Sequence, residues 1–540
     1  MQRKYIFVVG GVMSSVGKGI ATASIGKILQ SRGFAVSMIK CDMYVNIDAG
    51  TIRPTEHGEV FVGQDGIEAD QDLGNYERFT GIPSTRENYI TTGQVYQEVI
   101  RKERNMEYKG EDVEVVPDIP NEIIRRIKQA SAKDKAEITI IEIGGTVGEY
   151  QNLLFLEAAR MMYLKKPDDV LFVIVSYLPI PSKVGEMKTK PTQYAVRSLN
   201  SAGIQADFLL ARADRPIDKK RREKLSIFCG IPPENVISAP DVDCIYEVPL
   251  NFEKDGLSEK ILNKLNLNPR KANLDNWKEL IDKLKTIKEE VKIAVIGKYF
   301  TTGSFILSDS YISVIQAIKH ACWANNVAPD LTWVDGEQFE KDPDSIEILK
   351  QYDAIIVPGG FGSRGVEGII RSIKYAREEK IPILGLCYGM QLAVIEFARN
   401  IAGMRDANSI EIKPDAKYSV IDLMEEQKKN MEKNNYGATM RLGNYPCSLI
   451  KGTLAQRCYN KEHILERHRH RYEFNNKYRD LLESKGLIIS GINEKQNLVE
   501  IIELEDHPFF VGVQFHPEFN STLLKPHPLF FNLIKTTLKK

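Results

Sequence analysis

Short apolar runs punctuate the chain, each closed by Gly or Pro and followed by apolar positions at helical spacing. In the first half these runs are Ile6 to Val9, Ile138 to Ile143, Val170 to Val175 and Phe208 to Leu210. Runs that are apolar on both faces predict buried strands, and their alternation with helices predicts a mostly parallel sheet. The same grammar restarts with Lys292 to Gly297, Ala354 to Val357, Ile383 to Leu386 and Phe510 to Phe515. The pattern predicts an α/β protein of two doubly wound, mostly parallel-sheet domains, at 1–268 and 292–540. Between them, residues 269–291 read as a partly helical linker, with helical spacing around Trp277 to Ile287. Glu425 to Asn435 is polar enough to predict an exposed excursion from the second domain.

Composition narrows the function classes. At 540 residues the chain exceeds what one hydrophobic core usually serves. Lys plus Arg and Asp plus Glu number 73 each, which argues against a field that recruits nucleic acid or a membrane surface. The seven cysteines are scattered, without a CxxC pair, and fit a reducing, cytoplasmic setting. Arg3, Lys4 and the apolar run from Ile6 imitate a signal peptide, but Lys18 and the glycines interrupt it. No apolar run is long enough to span a membrane.

The stretch GGVMSSVGKGIATAS, Gly10 to Ser24, follows the first strand and opens a helix. Backbone N–H groups and the helix end would meet an anion there, with Lys18 as a mobile charge. It departs from the usual P-loop: five residues separate Gly11 from Gly17, and Gly19 stands where a magnesium-binding hydroxyl is expected. Carboxylates elsewhere are the candidates for that metal. Asp70 and Asp72 would share a face of an extended segment, and Glu142 closes a strand at the sheet edge where open α/β sheets bind ligands. Oxygen donors suit magnesium, whereas Glu68 reads better as part of a solvated acidic loop. Lys188-Thr189-Lys190-Pro191-Thr192-Gln193 could clamp a second polyphosphate, and Lys40 ends a strand.

In the second half, Gly385-Leu386-Cys387-Tyr388-Gly389 sets a cysteine between close glycines at a strand-to-helix turn. That arrangement exposes a nucleophile, and the helix start favours its thiolate. His516 in Phe515-His516-Pro517-Glu518 can take the thiol proton, and Glu518 can orient the imidazole. Val357-Pro358-Gly359-Gly360-Phe361-Gly362 offers unhindered N–H groups suited to an oxyanion hole. Arg467 to Tyr472 (RHRHRY) could pass for a nucleic-acid patch, but the neutral chain makes that the poorer reading.

Gly-x-Cys-x-Gly, Pro-Gly-Gly and His-Pro-Glu together resemble class I glutamine amidotransferases. That resemblance implies glutamine hydrolysis through a glutamyl thioester, with Gly360 as an oxyanion donor. Gln391 would contact glutamine beside Tyr388, Gly389 and Met390, Glu411 would meet its ammonium and Arg471 its carboxylate. The whole chain, in order, is similar to the CTP synthase family, through GGVMSSVGKGI, HGEVFV, DLGNYERF, IEIGGTVGE, KTKPTQY, PGGFGSRGVEG, ATMRLG and RHRHRYE.

This second resemblance implies a ligase that aminates UTP to CTP with ATP and glutamine, through a 4-phosphorylated UTP. Ser15, Val16, Gly17, Lys18, Gly19, Ile20 and Lys40 would hold ATP phosphates, with Asp72 and Glu142 on Mg2+ and Arg212, Asp241 and Val242 at adenine. Ser14, Lys188 to Gln193 and Lys224 would serve UTP, and Glu149, Tyr150 and Gln151 the feedback inhibitor CTP. GTP activation would involve Phe361, Arg364 and an Arg441 lid. A homotetramer is implied, with filaments as a further state and no nucleic-acid or membrane partner. Tyr388 stands where Leu is usual, Glu149-Tyr150-Gln151 where Asp-Ile-Glu is common, and Pro240 where a basic residue is frequent. Two rivals are a P-loop amidotransferase of the cobyrinic acid amidating type and a nucleotide-switched filament protein with a decayed glutaminase.

Overall fold

A computed structural model of the chain describes residues 3–11, 13–183, 185–298, 301–302, 305–306, 308–424, 427 and 437–539. By its contacts the chain divides into two units, Met1–Ala49 with Asp72–Asp282, and Gly50–Gln71 with Lys283–Lys540. Two segments are therefore grouped differently from the contiguous domains and linker expected above. The helix Asp275–Leu284 falls largely in the first unit, where Trp277 is buried and its indole N–H donates to Tyr246 O at 2.8 Å. Gly50–Gln71 goes with the second unit, for reasons of pairing given below. The excursion expected at 425–435 lies outside the described residues apart from Gln427, which is buried.

The first unit holds a seven-stranded sheet in the order Tyr89–Thr91, Val36–Asp42, Ile138–Ile143, Lys4–Gly11, Val170–Tyr177, Phe208–Ala213, Val236–Pro240. Every pairing in it is parallel. Lys4–Gly11 is buried along its length, as a central parallel strand must be. Phe7 and Val9 join a core with Ile123, Ile127, Phe155 and Val196, while the alternating Ile6 and Val8 are fully buried on the opposite face. The helix Lys18–Ser31 begins beyond the C-terminal end of this strand, so the glycine loop lies at the ligand-binding edge of the sheet.

The second unit is built on a nine-stranded sheet. Ala328–Asp335, Glu290–Gly297, Ala354–Val357, Ile383–Leu386 and Phe510–Val513 pair in parallel. Leu498–Glu503, Ile488–Asn493, Arg441–Leu449 and His463–His470 extend it antiparallel. Its two faces carry separate cores, one with Ala294, Ile296 and Ile355, the other with Ile293, Val295 and Ile356. The strand His463–His470 absorbs the basic run: Arg467 and His468 are buried, so this stretch is interior structure and not an exposed nucleic-acid patch.

Glu59 and Glu68 explain why Gly50–Gln71 is grouped with this sheet. Glu59 accepts the Ser313 backbone N–H at 3.1 Å and the Ser313 hydroxyl, placing a carboxylate at the start of the helix Ile312–Ala324. Negative charge is favoured there by the helix dipole. Glu68 is 1% exposed and accepts Arg469 Nε at 2.8 Å, which corrects its reading as solvated. Among the described residues no helix is long and apolar enough to cross a membrane.

Candidate active sites

In the second unit the strand Ile383–Leu386 stops at Cys387, whose φ of 48° and ψ of −96° turn the chain sharply into the helix Tyr388–Asn400. The flanking glycines are required by close approach. A methyl on Gly389 would stand 2.3 Å from Val357 O, and one on Gly385 2.8 Å from the Gly389 carbonyl carbon. Cys387 N donates to Val513 O at 2.6 Å, tying the elbow to the strand that leads into His516.

His516 Nδ1 lies 2.7 Å from Glu518 Oε1, both groups being buried. Burial alone would lower the imidazole pKa, but Glu518 and Cys387 together outweigh it and raise it to about 10. The imidazole is thus fitted to hold a proton taken from the cysteine, and Glu518 to fix its orientation. Gln514, fully buried, donates to Cys387 Sγ at 3.7 Å.

A cavity of about 410 Å³ opens on this triad and brings together Gly360, Phe361, Gln391, Glu411 and Arg471 from the expected set. Gln391 Nε2 donates to Tyr472 O at 2.9 Å, and Arg471 Nη1 to Gln427 Oε1 at 2.7 Å and Thr439 Oγ1 at 2.9 Å. Glu411 accepts the Gly362 N–H at 2.7 Å, and burial raises its pKa. Tyr388, Gly389 and Met390 are buried outside this lining.

Gly50 to Pro54, Glu59 and Val60 line the same cavity from far upstream, with Tyr311 and Met440, none of which carries an assigned role in the motifs above. The acidic density around His57 to Phe79 was the one local sign. Phe361 is exposed, and Arg364 pairs with Glu337 and lies 3.8 Å from Asp335. Arg441 differs from the expected lid. It is buried on the strand Arg441–Leu449, 2.6 Å from Glu500 and 3.5 Å from Glu473, because an interior guanidinium needs carboxylate partners.

In the first unit Lys18 reaches back over Gly10 to donate to Gly145 O at 2.8 Å, and burial lowers its pKa. Lys40 Nζ is 2.5 Å from Asp72, 3.1 Å from Glu142 and 3.7 Å from Asp42. Tyr76 donates to the other Glu142 oxygen. Burial first, then Asp72, raises Glu142 to about 7. Three carboxylates against Lys18 and Lys40 leave an excess negative charge, and Asp72 and Glu142 converge on one cationic centre, here the Lys40 ammonium. Such an oxygen donor set fits a hard divalent cation. Asp70 does not join it, since it lies 3.0 Å from His57 Nε2 in the second unit.

A neighbouring cavity of about 140 Å³ gathers Val16, Gly17, Ile20, Arg212, Asp241 and Val242. Arg212 bonds Asp241 at 2.9 Å and Ser15 O at 3.3 Å. Its apolar walls are Val175 and Leu210, from two of the strands read off the sequence, and Phe252. Ser14 is exposed in the same loop. In the Lys188 to Gln193 stretch, Lys188 bonds Glu186 at 2.6 Å, Thr192 bonds Ser176 at 2.8 Å and Gln193 bonds Thr189 at 3.1 Å, with Lys190-Pro191 opening a helix. Lys224, Tyr150 and Gln151 are exposed, and Glu149 turns back onto the Thr146 N–H at 2.8 Å.

Residues 4–267 match the family model "CTP synthase N-terminus", and residues 306–536 match "Glutamine amidotransferase class-I". The CTP synthases of Caldanaerobacter subterraneus subsp. tengcongensis and Carboxydothermus hydrogenoformans are each 50% identical, over 99% of this chain and 98% and 99% of theirs. That of Sulfolobus acidocaldarius is 49% identical over 98% of this chain and 99% of its own. Among solved structures, the Trypanosoma brucei CTPS glutaminase domain with bound acivicin is 37% identical, covers 46% of this chain and 94% of its own, and has a TM-score of 0.42.

Proposed function

The chain belongs to the CTP synthase family, and on that premise we propose that it converts UTP to CTP with ATP, using ammonia released from glutamine at Cys387. It is a glutamine-hydrolysing ligase that forms a C–N bond. The observation that carries the reading is one chain, matched over its whole length, that contains both a Cys–His–Glu constellation and a lysine-bearing glycine loop.

At the glutaminase site, Gln391, Glu411 and Arg471 bind glutamine, the last two meeting its ammonium and carboxylate. His516 takes the Cys387 proton as the sulfur attacks the side-chain carbonyl, and the Gly360 N–H receives the developing oxyanion. His516 returns the proton to the leaving ammonia, and then activates the water that releases glutamate.

In the first unit, Ser15 to Ile20 and Lys40 hold the ATP phosphates, and the cavity beside Arg212 and Asp241 takes adenine. Asp72 and Glu142 would hold Mg2+, which when bound neutralises charge on the phosphates. UTP is held by Ser14, Lys188 to Gln193 and Lys224. The uracil 4-oxygen leaves poorly, so its phosphorylation supplies the leaving group that ammonia displaces at that carbon. GTP activation at Phe361 and Arg364, CTP feedback near Glu149 to Gln151, and a homotetramer are proposed on the same premise.

The test is CTP formation by the purified protein from UTP, ATP, magnesium and glutamine, and from ammonia in place of glutamine. CTP with both nitrogen sources is expected. ATP hydrolysis without CTP would point to a different amide-forming acceptor.

A further inference from the structure

We infer that Tyr388 and Lys298 are positioning residues for glutamine hydrolysis, clamping the Gly359–Gly362 backbone over Cys387. This deepens the reading of Cys387 as a glutaminase nucleophile and rests on it.

Gly362 is held through both its backbone polar groups. Its N–H donates to Glu411 Oε1 at 2.7 Å. Its carbonyl accepts Lys298 Nζ and the Tyr388 hydroxyl, each at 2.5 Å. The two side chains also engage each other: Lys298 Nζ donates to the Tyr388 hydroxyl at 3.1 Å and stands 4.3 Å from the ring centroid. Both are buried, at 4% and 2% exposure, so water competes poorly for these bonds. Burial lowers the Lys298 pKa to about 8, the cost of keeping an ammonium there.

The place of the clamp gives it a chemical role. Tyr388 directly follows the nucleophile and begins its helix, while Lys298 follows the strand Glu290–Gly297. Gly360, the oxyanion donor, is two residues before the clamped carbonyl. Gly359 packs so closely on the imidazole that a methyl there would stand 2.7 Å from His516 Cε1. Gly362 has a φ of 78°, in the left-handed region that glycine adopts without strain. An oxyanion hole works by being fixed before charge develops, so the fixing groups contribute to rate more than to binding. Glu411, the residue proposed to read the glutamine ammonium, also holds this loop through the Gly362 N–H, which couples substrate recognition to the placement of the hole.

The experiment is glutamine hydrolysis by the full-length protein, by Tyr388→Phe, which keeps the ring and loses the hydroxyl, by Lys298→Met, and by the double variant. Removing a whole oxyanion donor costs about 10²–10³ in kcat, so loosening one should cost roughly tenfold, with KM held within about twofold. The double variant should lose less than the product of the single losses, since both side chains act on one carbonyl. The alkylation rate of Cys387 by iodoacetamide should stay unchanged, because the His516–Glu518 pair is untouched. Undiminished kcat in both single variants overturns the clamp, as does a rise in KM alone or a parallel fall in alkylation. Lys298→Met reads the same carbonyl should Tyr388→Phe fail to fold. A wild-type chain that does not hydrolyse glutamine overturns the reading of the site itself.

Discussion

A methyl built on Gly19 would stand 1.8 Å from Asp72 Oδ1, so the glycine and the carboxylate occupy one space that a larger residue cannot share. The hydroxyl of a conventional P-loop is excluded here because a carboxylate from another helix already fills its position. Gly19→Ala should therefore displace Asp72 and lower CTP formation at least about tenfold with glutamine or ammonia alike, with glutamine hydrolysis retained. Steady-state assays of the three reactions check it, and a normal ammonia-dependent rate would contradict the role given to Asp72.

Cys387→Ala removes only the ammonia source. Glutamine-dependent CTP formation should vanish, while synthesis from ammonium chloride stays within about twofold of wild type. Equal loss of both would show that the two chemistries share a site.

The His516 pKa is raised to about 10 by Glu518 and Cys387 against the opposing effect of burial. A pKa raised in the folded state contributes stability that is fully present below the ordinary value of 6.5 and is lost as pH rises through about 10. Glu518→Gln should therefore cost most stability near pH 6 and progressively less toward pH 10, as read from urea unfolding of both proteins across that window. It should also lower glutaminase kcat by about tenfold or more. A stability difference that grew with pH would refute the assignment.

Buried Glu68 pairs with the half-buried Arg469 at 2.8 Å. Glu68→Ala takes this carboxylate from Arg469, so it should destabilise the second unit by about 1–3 kcal/mol. Adding Arg469→Met should recover part of that loss, measured by denaturant unfolding. A solvated Glu68 would give less than about 0.5 kcal/mol.

Chelation of magnesium should stop CTP formation from either nitrogen source and leave basal glutamine hydrolysis intact, because the proposed magnesium donors, Asp72 and Glu142, lie in the first unit and Cys387 in the second. Glu142→Gln should behave likewise in the synthetase reaction. Retained synthesis in EDTA would remove the metal from the proposal.

What could be read from the chain was local. Ile138–Ile143, Ala354–Val357 and Ile383–Leu386 are strands as their apolar runs predict, because each is buried on both faces. The cysteine elbow was legible since its glycines, nucleophile and helix are contiguous. Glu68 was not, because a buried and a solvated carboxylate look identical until the partner is known, and Arg469 lies 401 residues away. The burial of Arg441 was not legible for the same reason: only the fold supplies Glu473 and Glu500. Tyr388 was visible as an unusual residue, but its meaning depends on Lys298 and Gly362, two positions that sequence spacing does not connect.

The grouping of Gly50–Gln71 with the second unit has a consequence for the order in which the molecule is made. Synthesis runs from the N-terminus and domains fold as they emerge. Glu59 leaves the ribosome 254 residues before Ser313, and Glu68 401 residues before Arg469. The first sheet can assemble while this strap waits, its carboxylates still hydrated, for a partner not yet translated. A gene split within 269–291 would leave the strap on one polypeptide and its partners on the other, so the separated glutaminase half would lack part of its own wall.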